Sequence, residues 1–191
     1  MKNKKLLIIV AICILLVIAF LLIPYILVQS HTATNSTVAS SNKPPENEKW
    51  CESGSSLAVI LEGASSLNPA LKKALQEKII SQSEFSQVIW FDSLDRSADM
   101  PTIAIRFTTS DIKWTPFYAK GYQVVEVAFS SIGDVSFRNS KPTHFTTFGD
   151  VKVTQFIANL EITDKSAGII SLPGYHQYLA QKVADAIMKI K

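Results

Sequence analysis

The sequence predicts an α+β fold that follows an N-terminal transmembrane helix, and three observations support this fold class. An uncharged, mainly apolar run of 23 residues extends from Leu6 to Val28, long enough for one helix to cross a bilayer. After it, short apolar or alternating runs are typical of strands. Two segments repeat apolar residues at helical spacing. We therefore expect a single transmembrane helix, then a mostly antiparallel sheet of about five strands with two helices packed on one face.

The charges beside the apolar run predict its orientation. Lys2, Lys4 and Lys5 precede the run, and the next Lys or Arg after it is Lys43. Because basic residues favour the cytoplasmic side, the N-terminus is predicted to be cytoplasmic and the C-terminal domain extracytoplasmic. A cleaved signal peptide is the alternative, but its apolar core is normally only about 7 to 15 residues long. The predicted localisation is the cell membrane, as a single-pass signal-anchor protein held in the lipid bilayer through residues 6–28.

Composition divides the chain into four segments. Residues 1–5 are predicted to be a basic cytoplasmic tail, and residues 6–28 the transmembrane helix. Residues 29–56 are predicted to be a disordered spacer, because Ser and Thr dominate its first half and apolar residues are few. Residues 57–191 are predicted to be the extracytoplasmic α+β domain, which is large enough for its own core.

Charge and cysteine counts limit the partners of the chain. The chain has 19 Lys and Arg, and three of them precede the apolar run, so 16 remain against 16 Asp and Glu. This balance predicts no nucleic-acid partner. Of the two cysteines, Cys13 lies within the apolar run and Cys51 outside it. No disulfide within the chain is therefore expected, and pairing of Cys51 with another chain stays open.

Within residues 57–191 the predicted order is strand, helix, several strands, helix. The predicted strands are Leu57–Glu62, Val88–Phe91, Thr102–Phe107, Tyr122–Ser130 and a long run from Phe145 to Thr163, with a turn at Asp164–Gly168. The predicted helices begin at Asn68 and at Pro173. Apolar residues change parity within the long run, which predicts a bulge or bend near Thr154-Gln155.

Motifs for catalysis and metal binding are missing from the sequence. Ser110 and Lys113 match the S-x-x-K spacing, but residues three apart on a strand point to opposite faces. No pair of His or Cys has metal-ligand spacing, and the acidic loop Asp92–Asp99 lacks the EF-hand pattern. If the chain were an enzyme, His144 and Asp150 would be the candidate catalytic pair. No catalytic residue, metal or cofactor is therefore predicted.

An aromatic segment around a proline turn is the predicted binding site. Trp114, Phe117, Tyr118 and Tyr122 surround this turn, and exposed aromatic rings at a hairpin tip suit a protein surface or a sugar. The predicted function is that of a membrane-anchored protein whose extracytoplasmic domain is a non-catalytic binding or envelope-assembly domain. Its predicted partner is an envelope protein or polymer. The alternative is an envelope-associated hydrolase with a nonstandard active site around His144.

Overall fold

The computed structural model describes residues 2–22, 31–41, 54–63, 65–81, 85–91, 100–133, 137, 146–148, 151–153 and 155–190. The helices of this part of the chain are α1 (Lys2–Leu22), α2 (Asn68–Ser81) and α3 (Leu172–Ile190). Its strands are β1 (His31–Ser41), β2 (Ser56–Glu62), β3 (Gln87–Phe91), β4 (Thr102–Thr115), β5 (Tyr118–Ser130), β6 (Thr146–Phe148), β7 (Val151–Val153) and β8 (Gln155–Gly168).

Six strands form one mixed sheet in the order β1-β8-β5-β4-β2-β3. The neighbouring pairs are antiparallel for β1–β8, β8–β5 and β5–β4. Strand β2 is parallel to both of its neighbours, β3 and β4. The predicted sheet of about five mostly antiparallel strands is therefore corrected to a mixed sheet of six strands, in which two of the five pairings are parallel. Helix α2 carries the chain from β2 to β3, and a crossover of this kind joins parallel strands, whereas short turns join antiparallel ones. Strands β6 and β7 pair separately.

The predicted transmembrane helix also needs correction. Within the described part of the chain, no helix combines the length and the apolar character that crossing a membrane requires. Helix α1 is described from Lys2 to Leu22, and residues 23–28 of the predicted span lie outside the described residues. The lack of a membrane-spanning helix among the described residues is the finding that contradicts the prediction. This finding overturns the predicted single-pass signal anchor, and with it the predicted membrane localisation, cytoplasmic N-terminus and extracytoplasmic domain.

Strand β1 lies in the segment predicted as a disordered spacer. It pairs with β8 along its whole length, from His31 opposite Gly168 to Ser41 opposite Ala158. The prediction considered only the low apolar content of the segment. Backbone groups form the ladder of a sheet, however, and Thr is a strand-favouring residue. Of the remainder of residues 29–56, only 54–56 are described.

The long predicted strand ending at Thr163 is divided in the structure. Strand β7 ends at Val153 and β8 begins at Gln155, and Thr154, where a bulge or bend was predicted, lies outside the described residues. The predicted turn at Asp164–Gly168 is wrong, because β8 continues through these residues to Gly168. Each residue of this last part of β8 pairs with both β1 and β5, or with β1 alone at Gly168.

Helices α2 and α3 cover one side of the sheet, which we term the helix face; the opposite side is termed the outer face. The main core lies between the helices and the helix face. From α2 and α3 it includes Leu71, Ala74, Leu75, Ile79, Ala180, Val183, Ala184, Ala186, Ile187 and Ile190. A second cluster lies nearer the β4–β5 turn and contains Leu67, Ala119, Ile170, Tyr175 and Leu179.

A bulge in β4 changes which of its residues point toward the helices. The pairing of β4 with β5 shifts at Thr108, which has no partner in the ladder. Before the bulge Ile105 packs in the main core, and after it Ile112 and Trp114 pack against the second cluster. Because side chains alternate along a strand, Lys113 lies on the outer face.

Candidate functional site

The turn between β4 and β5, Pro116-Phe117, is bound to the segment that follows β8. The amide of Gly168 donates to the carbonyl oxygen of Phe117 at 3.1 Å, and the amide of Ile170 donates to that of Pro116 at 2.9 Å. The indole Nε1–H of Trp114 donates to the carbonyl oxygen of Ile170 at 3.1 Å. Three hydrogen bonds thus hold the turn against the start of α3.

Three large side chains are exposed at this end of the sheet. Phe117 is 62 % exposed, Ile169 50 % and Tyr118 45 %. Ile169 lies between the two residues whose amides bind the turn, so it is a close neighbour of Phe117. We term these three residues the hairpin tip. Grouped apolar side chains in water are typical of interaction sites.

The sheet separates the four aromatic residues that were predicted to bind a partner. Trp114 lies on the helix face, partly buried against the second cluster. Phe117 lies in the turn, and Tyr118 and Tyr122 lie on the outer face because they alternate with buried residues of β5. No one surface of the described structure holds all four side chains. Their role in binding stays a prediction.

A buried carboxylate lies behind the hairpin tip, on the helix face. Asp164 is fully buried. Its Oδ2 accepts hydrogen bonds from Ser166 Oγ at 2.8 Å and from Tyr175 OH at 2.7 Å, and its Oδ1 accepts one from Tyr178 OH at 3.2 Å. Burial, followed by the bond to Asp164, raises the pKa of Tyr175 far above its ordinary range, so this phenol remains a proton donor. The network ties β8 to α3.

Two residues of β5 complete this part of the helix face. Gly121 is paired with Asp164, and a Cβ atom at Gly121 would lie 2.8 Å from Leu179 Cδ1 and 2.9 Å from Tyr175 OH. A Cβ atom at this position therefore fits only if the ends of these two side chains of α3 move. Gln123 is fully buried, and neither its Nε2 nor its Oε1 has a hydrogen-bond partner in the described structure.

Three lysines stand side by side on the outer face. Lys113 of β4 is paired with Lys120 of β5, which is paired with Lys165 of β8. Paired residues point to the same side of a sheet, and neighbouring strands lie about 4.8 Å apart. All three side chains are exposed, and none forms an ion pair with an acidic residue that the structure describes. We term these residues the lysine row.

Tyrosines and carboxylates surround the lysine row along the strands. Tyr118 and Tyr122 lie on either side of Lys120 on the same face of β5. Asp111 is paired with Tyr122, and Glu161 lies further along β8. A hydrogen bond with Glu161, together with burial, raises the pKa of Tyr122. The nearest described carboxylates on this face therefore lie beyond the row and not opposite its lysines.

The other residues singled out by the sequence do not form a site. Ser110 and Lys113 lie on opposite sides of β4, as strand geometry predicts. His176 is half-buried in α3, and burial lowers its pKa. Cys51, His144 and the acidic loop of residues 92–99 lie outside the described residues. Among the described residues, no group of His, Cys, Asp or Glu has the arrangement of a metal site.

Sequence reasoning missed both the Asp164 network and the lysine row. The network joins two elements, β8 and α3, and the row joins three strands that are distant in the sequence. Because Asp164 and Lys165 were predicted to lie in a turn, neither side chain could be assigned to a face of the sheet. Apolar alternation stops at Ile162, and the polar residues Asp164 and Ser166 that follow on the same face gave no signal of a continuing strand.

Comparison with known proteins leaves the family of this chain unassigned. No family model matches the sequence, and neither does any curated protein. Two structures of the PelC dodecamer from Paraburkholderia phytofirmans are similar to this chain, each at a TM-score of 0.40, with 11% and 12% sequence identity. Each alignment covers 80% of this chain, and the two alignments cover 98% and 97% of the respective PelC chains. A homologue of neuraminyllactose-binding hemagglutinin from Helicobacter pylori reaches a TM-score of 0.27 at 12% identity, covering 77% of this chain and 88% of that chain. Similarities this low support no statement about the function of this chain.

Proposed function

We propose that this chain is a non-catalytic protein-binding domain that contacts its partner through the hairpin tip. The observation that carries the proposal is the grouping of Phe117, Ile169 and Tyr118, which are between 45 % and 62 % exposed at one end of the sheet. Aromatic residues at the centre of an interface often contribute most of the binding energy. Phe117, the most exposed of the three, is the proposed anchor.

The hydrogen bonds behind the tip support a binding role. The amides of Gly168 and Ile170 and the indole of Trp114 hold the turn in one place. A surface that is already ordered loses little conformational entropy when it binds. The exposure of Phe117 is therefore a property of a fixed backbone and does not come from a frayed loop.

The ionisable group nearest to the tip on the helix face is poorly suited to chemistry. Asp164 is fully buried, and its two oxygens accept bonds from three hydroxyl groups. A general base must lie within hydrogen-bond reach of a substrate proton. Because its oxygens are shielded and occupied, Asp164 fits a role in holding α3 against β8.

Site-specific crosslinking tests this proposal. A photoreactive benzoylphenylalanine is placed at position 117 of the full chain, and a control variant carries it at position 80, where Ile80 of α2 is 57 % exposed. In cells that express the chain, we expect a protein adduct from position 117 that position 80 does not form.

Competition then tests whether Phe117 itself contributes to affinity. Unlabelled wild-type chain should suppress the adduct, whereas Phe117→Ala should compete about 30-fold more weakly, the loss typical of a central aromatic anchor. Ile80→Ala should compete like the wild type. Equal adducts from both positions, or equal competition by Phe117→Ala, would refute the proposal.

A further inference from the structure

We infer that the lysine row binds a short acidic segment of the partner protein, lying across strands β4, β5 and β8. The inference rests on the proposed function in one respect, that the partner is a protein. Its own basis is the placement of Lys113, Lys120 and Lys165 directly beside one another on the outer face.

The fold gives no reason for this placement of charge. Like charges directly opposite each other on neighbouring strands destabilise a sheet. Lys120 has a lysine on each side, and no described acidic residue forms an ion pair with any of the three. Since the side chains are exposed, a neutral polar residue would serve the sheet equally well. The row therefore fits a surface that receives its counter-charge from a ligand.

The shape of the row favours an acidic peptide over a nucleic acid. The row crosses three strands, a width of about 10 Å, and is one residue deep along each strand. Asp111 and Glu161 lie on the same face beyond the row, where they would repel any long polyanion that extended past it, so the row suits a short acidic segment better than a long phosphate backbone. An extended peptide advances about 3.3 Å per residue, so three or four residues span the row.

The groups around the row also suit carboxylates on a peptide. Lysine is a point charge on a flexible stem, so it pairs with carboxylates without a fixed geometry. Tyr118 and Tyr122 flank Lys120 and offer ring surface on both sides of a bound segment. Tyr118 is also part of the hairpin tip, so the two surfaces are continuous.

A labelled octaglutamate peptide is the probe for the row, mixed with the full chain and followed by fluorescence anisotropy. We expect Lys120→Glu to weaken binding by about 10-fold or more, because it places a negative charge between two lysines. Lys73→Glu makes the same change of net charge at an exposed position of α2 and should alter binding less than about 2-fold. Binding should also weaken as the salt concentration rises from about 50 to about 200 mM.

The melting temperature gives a second readout that needs no partner. Lys120→Gln should raise Tm by about 1 to 3 °C at low salt, because it removes repulsion from both neighbours. The rise should shrink in about 1 M salt, where exposed charges are screened, whereas a change in strand propensity would persist. A fall in Tm at both salt concentrations would show that the lysines do not repel each other.

The outcomes separate this inference from the proposed function. Octaglutamate binding that is equal for wild type, Lys120→Glu and Lys73→Glu would refute the inference, and so would tighter binding of a single-stranded oligonucleotide of the same length. Lys120→Glu could lose octaglutamate binding while Phe117→Ala competes as well as the wild type in the crosslinking assay. This result would support binding at the lysine row and refute binding through the hairpin tip.

Discussion

Two consecutive residues of β8 show how differently the two faces of the sheet treat charge. Asp164 points to the helix face, is fully buried, and accepts hydrogen bonds from three hydroxyl groups. Lys165 points to the outer face, is exposed, and stands beside Lys120. A buried charge without partners is costly, so the helix face supplies every partner from its own chain. Water solvates the exposed ammonium groups, so the outer face tolerates like charges side by side.

This contrast separates charges that hold the fold together from charges that are available to a ligand. The partners of Asp164 come from β8 and α3, which makes the network a connection between those elements. The lysine row has no corresponding partner among the described residues. Substitutions of Asp164 on the helix face should therefore lower the stability of the fold, whereas substitutions in the lysine row on the outer face should weaken binding.

Replacing Asp164 should cause the largest loss of stability. Asp164→Ala leaves three hydroxyl groups without their acceptor, two of them on fully buried residues, and should lower the free energy of unfolding by about 3 kcal/mol. Urea denaturation measures the loss. The matched control is Asp111→Ala on the outer face, where the side chain is exposed and a change within about 0.5 kcal/mol is expected. Equal effects of the two substitutions would remove the contrast between the faces.

A methyl group at Gly121 should have the next largest effect. The new Cβ of Gly121→Ala would lie 2.8 Å from Leu179 Cδ1, so the Leu179 side chain or α3 must shift, at a cost of about 1 to 3 kcal/mol. Leu179→Val shortens the side chain that the methyl group meets, and in that background Gly121→Ala should cost less. Denaturation of the four chains of this double-mutant cycle gives the coupling. Independent, additive effects would show that α3 does not press on β5 at this point.

Gln123 should give the smallest effect, and with the opposite sign. Both polar atoms of its amide are buried without hydrogen-bond partners in the described structure. Gln123→Met keeps the length of the side chain, removes these atoms, and should raise the free energy of unfolding by about 1 kcal/mol. Gln76→Met on the exposed side of α2 is the control and should be nearly neutral. A loss of stability in Gln123→Met would show that the helix face satisfies this amide as fully as it satisfies Asp164.

Local patterns predicted the elements near Leu57 and Asn68 well. The continuous apolar run at Leu57 became β2, and α2 begins at Asn68 with its apolar stripe in the core. Each of these features depends on residues close together in the chain, where side-chain periodicity carries the information.

Pairing between strands escaped prediction for a physical reason. Whether β2 lies parallel to β4, and whether His31–Ser41 joins β8, depends on backbone hydrogen bonds that any sequence can form. At the N-terminus the length of the apolar run predicted a membrane span, and no described helix has the length and apolar character of one. Of the predicted binding residues, Phe117 and Tyr118 are exposed, whereas the indole of Trp114 is bound to Ile170 on the helix face.

The sequence by itself determined the segments that form β2, α2 and α3 and the turn at Pro116 with its aromatic neighbours, because these follow from local periodicity and turn chemistry. Only the tertiary structure decided that the three lysines of the lysine row lie side by side on the outer face. The unpaired Thr108 in β4 reverses the alternation of the strand, so that Lys113 points to the outer face. The register of β5 with its two neighbours then sets Lys120 between Lys113 and Lys165. A shift of one residue in either pairing would send one lysine to the opposite face, since side chains alternate with a period of two.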